Sequence, residues 1–155
     1  MSSQKVFSPA RSWHWHFLES IERKFRGELM LREKYDLLSS NRKRLYLPDR
    51  PGIRREEILS NPDMILVNKR TRDLGYVLEV EFQANRKKIA GIAILTDIAI
   101  GQMDLKTKPK LILVTKREFS SMELLQMEIQ RVVRSIKFDL STSDNFVSRF
   151  NSLIT

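Results

Sequence analysis

No cysteine occurs anywhere in this chain of 155 residues, which removes disulfides, thiolate metal ligands and cysteine nucleophiles together. Histidine is nearly as scarce. The two present, His14 and His16, are spaced i, i+2 and so point to different faces of a helix, which argues against a histidine-based zinc site. The opening Met1-Ser2-Ser3-Gln4-Lys5 lacks the apolar core of a secretory signal, so an intracellular (cytoplasmic) protein is expected. The most apolar stretch, Ile89 to Ile100, is interrupted by Thr96 and Asp97 and falls short of the roughly 20 residues that span a bilayer. No membrane anchor is expected from it. Internal repeats and low-complexity segments are absent too.

What the chain has in excess is positive charge. Its 28 Lys and Arg against 19 Asp and Glu give a formal net charge of +9, which favours a phosphate backbone or an acidic membrane as partner. The basic residues are spread along the chain instead of lining one amphipathic helix, and that distribution favours nucleic acid. The length suits a single domain over 1–155 with its own core, built from a helical region at about 8–40 and an α/β core at about 60–140.

Ser8-Pro9 reads as an N-cap and a first-turn proline, opening a helix in which Trp13, Phe17, Ile21 and Phe25 recur every four residues and which Gly27 ends. A second helix is expected from Glu28 to Leu38. The basic, turn-rich segment 42–52 reads as a loop with a short strand at Leu45 to Leu47, followed by helical turns from Ile53 to Leu59. Met64 to Asn68 and Tyr76 to Phe82 form a hairpin around a loop at Lys69 to Gly75. In the second strand Tyr76, Leu78, Val80 and Phe82 alternate with Val77, Glu79, Glu81 and Gln83, the pattern of one buried face. Asn85 to Met103 reads as a largely buried helix, and Lys110 to Thr115 as a central strand apolar on both faces, so a right-handed parallel crossover is expected. Ser120 or Ser121 then caps a helix with a core stripe of Leu124, Leu125, Ile129, Val132, Val133 and Ile136. A short helix around Phe146 to Phe150 closes the chain.

Acids stand where the strands should be buried. Asn61-Pro62-Asp63 enters the run Met64-Ile65-Leu66-Val67, and sixteen residues after Asp63 come Glu79-Val80-Glu81 inside the partner strand. Pairing brings Asp63 and Glu79 to one end of the hairpin, and the strand period aligns Glu81 with Glu79. An unpaired buried carboxylate is costly and calls for a cation, a metal or a proton. Mg²⁺ held by such hard oxygens neutralises a phosphate and activates water, the two needs of phosphodiester hydrolysis.

Pro62, Asp63 and Glu79, followed by Glu81, resemble the motif of the restriction-endonuclease-like superfamily, the PD-(D/E)XK nucleases, over residues 60–116. The resemblance implies a mixed central sheet, hairpin plus parallel crossover strand, flanked by helices. It also implies a Mg²⁺-dependent endonuclease acting on DNA, with Mn²⁺ able to substitute, and Asp63 and Glu79 as metal ligands. The family's usual lysine falls at Glu81. A branch of site-specific restriction endonucleases carries glutamate there, so Glu81 serves as ligand or as base toward the attacking water. Otherwise Lys87 or Lys88 reaches back from the next helix, or the site is a relic that binds without cutting. Members often add an acid from the first helix, and Glu22, on the edge of its apolar stripe, is the candidate fourth ligand, with an ion pair to Arg26 at i+4 as its other use. Cutting both strands with so small a domain requires two sites, hence a homodimer, with Ile89 to Ile100 or the C-terminal helix as interface. Pro48-Asp49 is set aside as catalytic acid because Arg50-Pro51-Gly52 cannot form a strand.

Basic clusters at Arg42-Lys43-Arg44, Arg54-Arg55, Lys69-Arg70-Arg72, Arg86-Lys87-Lys88 and Lys106-Lys108-Lys110 fall mostly in loops and at helix ends, where phosphates are reached without burying charge. Trp13 fits the core stripe better than a stacking role. Gln83 shares the face of the two glutamates. Two other readings stand beside the nuclease: a non-catalytic nucleic-acid-binding protein whose acids pair with its arginines, and a peripheral protein on anionic membranes.

Overall fold

A computed structural model describes residues 8–39 and 62–154. Segment 42–59, with its basic clusters, its expected strand and helix and Pro48-Asp49, lies outside the described residues, as does Asn61. Helix α1 (Pro9–Gly27) starts as its sequence dictates: Ser8 Oγ accepts the Arg11 N–H at 3.3 Å and proline occupies the first turn. Phe17, Leu18, Ile21 and Phe25 are buried. A single short helix, α2 (Leu29–Lys34), follows, and the chain then extends into β1 (Tyr35–Ser39), so the expected helix to Leu38 is replaced by a strand over its last third. Leu31, Tyr35 and Leu38 fit a helical period, but a five-pair antiparallel ladder with β2 (Met64–Asn68) overrides that local preference. The Tyr35 ring meets Tyr76 edge-on at 5.6 Å, and a Cβ at Gly75, near the start of the strand that pairs with β2, would stand 3.0 Å from the Tyr35 ring, which is why a glycine stands there.

The five strands lie across the sheet in the order in which they occur along the chain. β2 pairs antiparallel with β3 (Leu74–Glu81), a bulge falling between Leu66 and Val67. β3 is joined to β4 (Lys110–Thr115) through α3 (Arg86–Gly101) and pairs with it in parallel, as the crossover reading expects. A second crossover, through α4 (Met122–Val132), adds β5 (Lys137–Thr142), also parallel. The sequence reading missed this strand, although Phe138 and Leu140 alternate there with Lys137 and Asp139. The short α5 (Ser143–Ser148) and α6 (Phe150–Leu153) follow it.

The result is three layers. One apolar cluster joins α3 and α4 to Ile65, Val77, Leu111, Leu113, Phe138 and Leu140. The other joins α1, α2, α5 and α6 to Met64, Leu66, Leu78, Val80, Ile112 and Val114. Both faces of β3 are therefore covered, and the expectation of one buried face is corrected: Glu79 lies under a helical layer. The stripe expected on α4 is corrected as well. Met122, Leu125 and Ile129 point inward, while Leu124 and Val132 are 52% and 59% exposed. Nor is α3 largely buried, since Leu95 and Ile98 are 62% and 55% exposed. Asp97 on α3 accepts the N–H groups of Arg134 and Ser135 at 2.6–3.2 Å, which ends α4 and ties the following turn to its neighbour.

β5 is an edge strand, and its outward polar groups are met by α4. Gln130 Nε2 donates to the Phe138 carbonyl at 2.9 Å, and the Leu140 N–H donates to Gln126 Oε1 at 2.9 Å. Side chains so placed blunt an edge that would otherwise invite strand addition. No helix among the described residues is long and apolar enough to cross a membrane.

Candidate functional site

The sequence-marked acids meet where β2 begins and β3 ends. Asp63 immediately precedes β2 opposite Glu79, and its Oδ2 accepts the Val80 N–H at 2.7 Å, so the carboxylate stands in for the next rung of the ladder. It lies in the plane of the sheet, within reach of both helical layers. From one layer, His14 of α1 places Nε2 3.1 Å from Asp63 Oδ1. On the other face stands Glu79, 9% exposed. Its pKa is raised well above the ordinary carboxylate value, chiefly by burial, then by the charges of Asp63 and Glu81 and by hydrogen bonding with Asp63; Lys88 pulls weakly the other way. The charge and the hydrogen bond that Asp63 brings to Glu79 make the two acids neighbours, close enough to share a proton or a cation.

Glu81 continues the face of Glu79 and is answered from α3. Lys88 Nζ lies 2.8 Å from Glu81 Oε2. The phase of that helix is set by Asn85, whose Oδ1 accepts the Lys88 N–H at 2.8 Å. Of the two candidate lysines it is Lys88 that pairs with Glu81, and the expectation of Lys87 in the site is corrected, since it lies one helical step away. Glu22 is also corrected. It pairs with Arg26 at 3.4 Å and sits eight residues beyond His14, about 12 Å further along the helix axis. Gln83 is exposed. Among the described basic clusters, Lys69 and Arg72 are drawn to Asp36, at 3.9 and 3.1 Å.

Two contributors escaped the sequence reading. His14 was considered only as a zinc ligand, yet its pKa is raised by its hydrogen bond to Asp63 against the opposing effect of burial, with smaller contributions from the charges of Asp63 and Glu81 and from the Val80 backbone. Lys116 follows β4, its N–H donating to the Glu81 carbonyl at 3.2 Å. Its ammonium lies 4.5 Å over the Phe82 ring and 6.0 Å from Trp13. The available signal was topological: in open α/β sheets, ligands sit at the carboxyl ends of parallel strands, and Lys116 is the first residue past one.

Among the described residues, no group of three or more His, Asp or Glu side chains stands ready to hold a metal ion. The acids are instead partnered one by one, Asp63 with His14 and Val80, Glu79 with Asp63, Glu81 with Lys88. A groove of about 910 Å³ lies elsewhere, over the edge of β5 near Lys108, Lys137 and Arg149. Fold and site define an α/β protein with a mixed five-stranded sheet and a carboxylate pair, Glu79 buried and Asp63 partly so, where β2 begins and β3 ends. Comparison with protein-family models, with characterised proteins and with solved structures finds no match.

Proposed function

We propose that this protein is a Mg²⁺-dependent endonuclease hydrolysing phosphodiester bonds of DNA, with Asp63 and Glu79 as the metal ligands and Glu81 beside them. The observation that carries this reading is Glu79, a carboxylate buried against a second carboxylate, an arrangement whose cost a divalent cation offsets directly. The donor set fits: adjacent hard oxygens suit Mg²⁺ or Mn²⁺, which need only one or two protein carboxylates and take water and phosphate oxygens for the rest. A bound Mg²⁺ would supply charge neutralisation at the phosphate and a more acidic water.

The chain's own residues perform the remaining tasks. Lys88 orients Glu81 through its 2.8 Å ion pair, so that Glu81 can act as ligand or receive the proton of the attacking water, and Lys88 takes in space the place of the superfamily's usual lysine. Lys116, held over Phe82 without a carboxylate partner among the described residues, offers its charge to the phosphate backbone. The net charge of +9 supports a polyanionic substrate. A homodimer presenting two sites has a candidate surface in the exposed Leu95 and Ile98 of α3.

Incubation with supercoiled plasmid tests the reading. Nicking that requires Mg²⁺ or Mn²⁺, lost in Glu79→Ala with DNA binding retained, is the expected result. One observation favours a second reading, a non-catalytic DNA-binding protein: the pairwise bonds of His14, Asp63, Glu79, Glu81 and Lys88 close without any cation. DNA binding with no metal-dependent cleavage would establish that alternative.

A further inference from the structure

Asp63 is gripped from two directions. Its Oδ2 takes the Val80 N–H at 2.7 Å, and its Oδ1 faces His14 Nε2 at 3.1 Å. One donor comes from the strand and the other from the helical layer on the far side of the sheet from Glu79. Each oxygen accepts one of these two bonds and keeps lone-pair capacity for the hydrogen bond with Glu79 or for a cation. The bond to Val80 alone would leave the carboxylate free to pivot about that contact, whereas two donors on two oxygens fix its plane.

His14 is itself well placed to hold such a group. Its neighbour Trp13 stacks on Phe17, with centroids 5.2 Å apart and planes 13° from parallel, and leans on Phe82 at 5.7 Å. Phe17 is buried among the sheet contacts of α1, and Phe82 directly follows β3. The imidazole is thus tied through its own helix to the strand that carries Glu79 and Glu81. It remains 33% exposed, against 13% for Asp63, so packing alone does not account for a histidine here.

We infer that His14 is a positioning residue of the carboxylate site, orienting Asp63 so that its free lone pairs face Glu79 and the pair is preset for a divalent cation. This inference rests on the metal-site reading above. Groups that orient a ligating carboxylate commonly matter about 10- to 100-fold in metal affinity. The imidazole acts here through Asp63 and touches neither substrate nor reacting atoms.

The test is Mn²⁺ binding by the purified full chain, measured by calorimetry without DNA, for the wild type, His14→Ala and His14→Gln, with thermal unfolding of each in EDTA. His14→Ala is expected to weaken Mn²⁺ binding about 10- to 100-fold with little change in melting temperature. His14→Gln, which retains an N–H donor near the Nε2 position, should recover most of the affinity. In a plasmid assay, the Mn²⁺ concentration for half-maximal nicking should shift in parallel. If the wild type binds Mn²⁺ and His14→Ala binds it equally well, the positioning role is overturned while the metal site survives. If His14→Gln is as weak as His14→Ala, the imidazole itself is required, and positioning is again overturned. A wild type that binds no Mn²⁺ overturns both the site and this role.

Discussion

Replacing Glu79 by glutamine keeps the side chain's shape and a hydrogen-bond donor toward Asp63 but removes the charge, which isolates what burial does to this acid. In the folded protein its pKa is raised above the ordinary 4.5, first by burial and then by Asp63 and Glu81. A group with a raised folded pKa binds its proton more tightly folded than unfolded. Its stabilising contribution is complete below the unfolded value and is lost as pH climbs through the folded value. One such proton gives a slope of about 1.4 kcal/mol per pH unit across that window. For a domain of this size that corresponds to about 3–6 °C of melting temperature per pH unit. Thermal unfolding of wild type and Glu79→Gln, followed by circular dichroism in EDTA from below pH 4.5 upward, should give curves that converge at low pH and separate as pH rises, the variant being the more stable. With Mg²⁺ present, the wild type alone should regain stability on the alkaline side, by about 2.7 kcal/mol at a free concentration a hundredfold above Kd. Parallel curves in EDTA would refute the raised pKa, and an equal response of both proteins to Mg²⁺ would refute Glu79 as a ligand.

Lys88→Met should reduce nicking about 100-fold, the scale of a lost acid–base or positioning contribution, while Lys87→Met leaves it unchanged; equal effects in a plasmid assay would contradict the 2.8 Å pairing of Lys88 with Glu81. Asp97→Ala should cost about 2–3 kcal/mol, because two backbone donors lose a charged acceptor, with a melting temperature lower by about 4–12 °C and Asp97→Asn in between; a shift under a degree would show that the turn after α4 does not depend on this anchor. The double variant Leu95→Glu, Ile98→Lys should fold with wild-type stability, since both side chains are exposed, and should sediment as a monomer against the dimer expected of the wild type; a monomeric wild type would refute the dimer. An unaltered dimer would move the interface elsewhere.

The strands that could be read from the sequence are those whose burial repeats along the chain. Met64–Asn68 and Lys110–Thr115 appear where their apolar runs stand, and the crossover between the second hairpin strand and β4 follows from the helix between them. β1 and β5 were illegible for opposite reasons. In β1, Leu31, Tyr35 and Leu38 satisfy the helical spacing, and only the ladder with a strand 25 or more residues away decides against it. In β5, Phe138 and Leu140 are too few to outweigh the helical stripe before them, and the capture of Arg134 and Ser135 by Asp97 that stops that helix is a tertiary bond between distant residues. Exposure along α3 and α4 was misjudged because composition counts apolar residues without knowing how much of a helix the sheet can cover. Ile89, Ala93, Thr96 and Ile100 take the buried positions on α3, with Ala90 and Ile92 partly covered, and Leu95 and Ile98 are left in solvent.

The site divides along a similar line. Asp63, Glu79 and Glu81 were legible because a carboxylate inside an apolar strand is anomalous within the strand itself, and period-2 geometry then fixes which acids share a face. Partners supplied by helices carry no such mark. A helix turns about 100° per residue, so neighbours such as Lys87 and Lys88 point in clearly different directions, and only the phase set by the Asn85 cap selects Lys88. His14 shows the same dependence: its position one step from the Trp13 stripe becomes meaningful only once that stripe has docked on the sheet and carried the imidazole to Asp63. The strands thus nominate the acids, and the docking of α1 and α3 selects which basic groups address them. A helix-borne change at position 14 or 88 should therefore tune the site without unmaking the fold, whereas a change at Glu79 alters both.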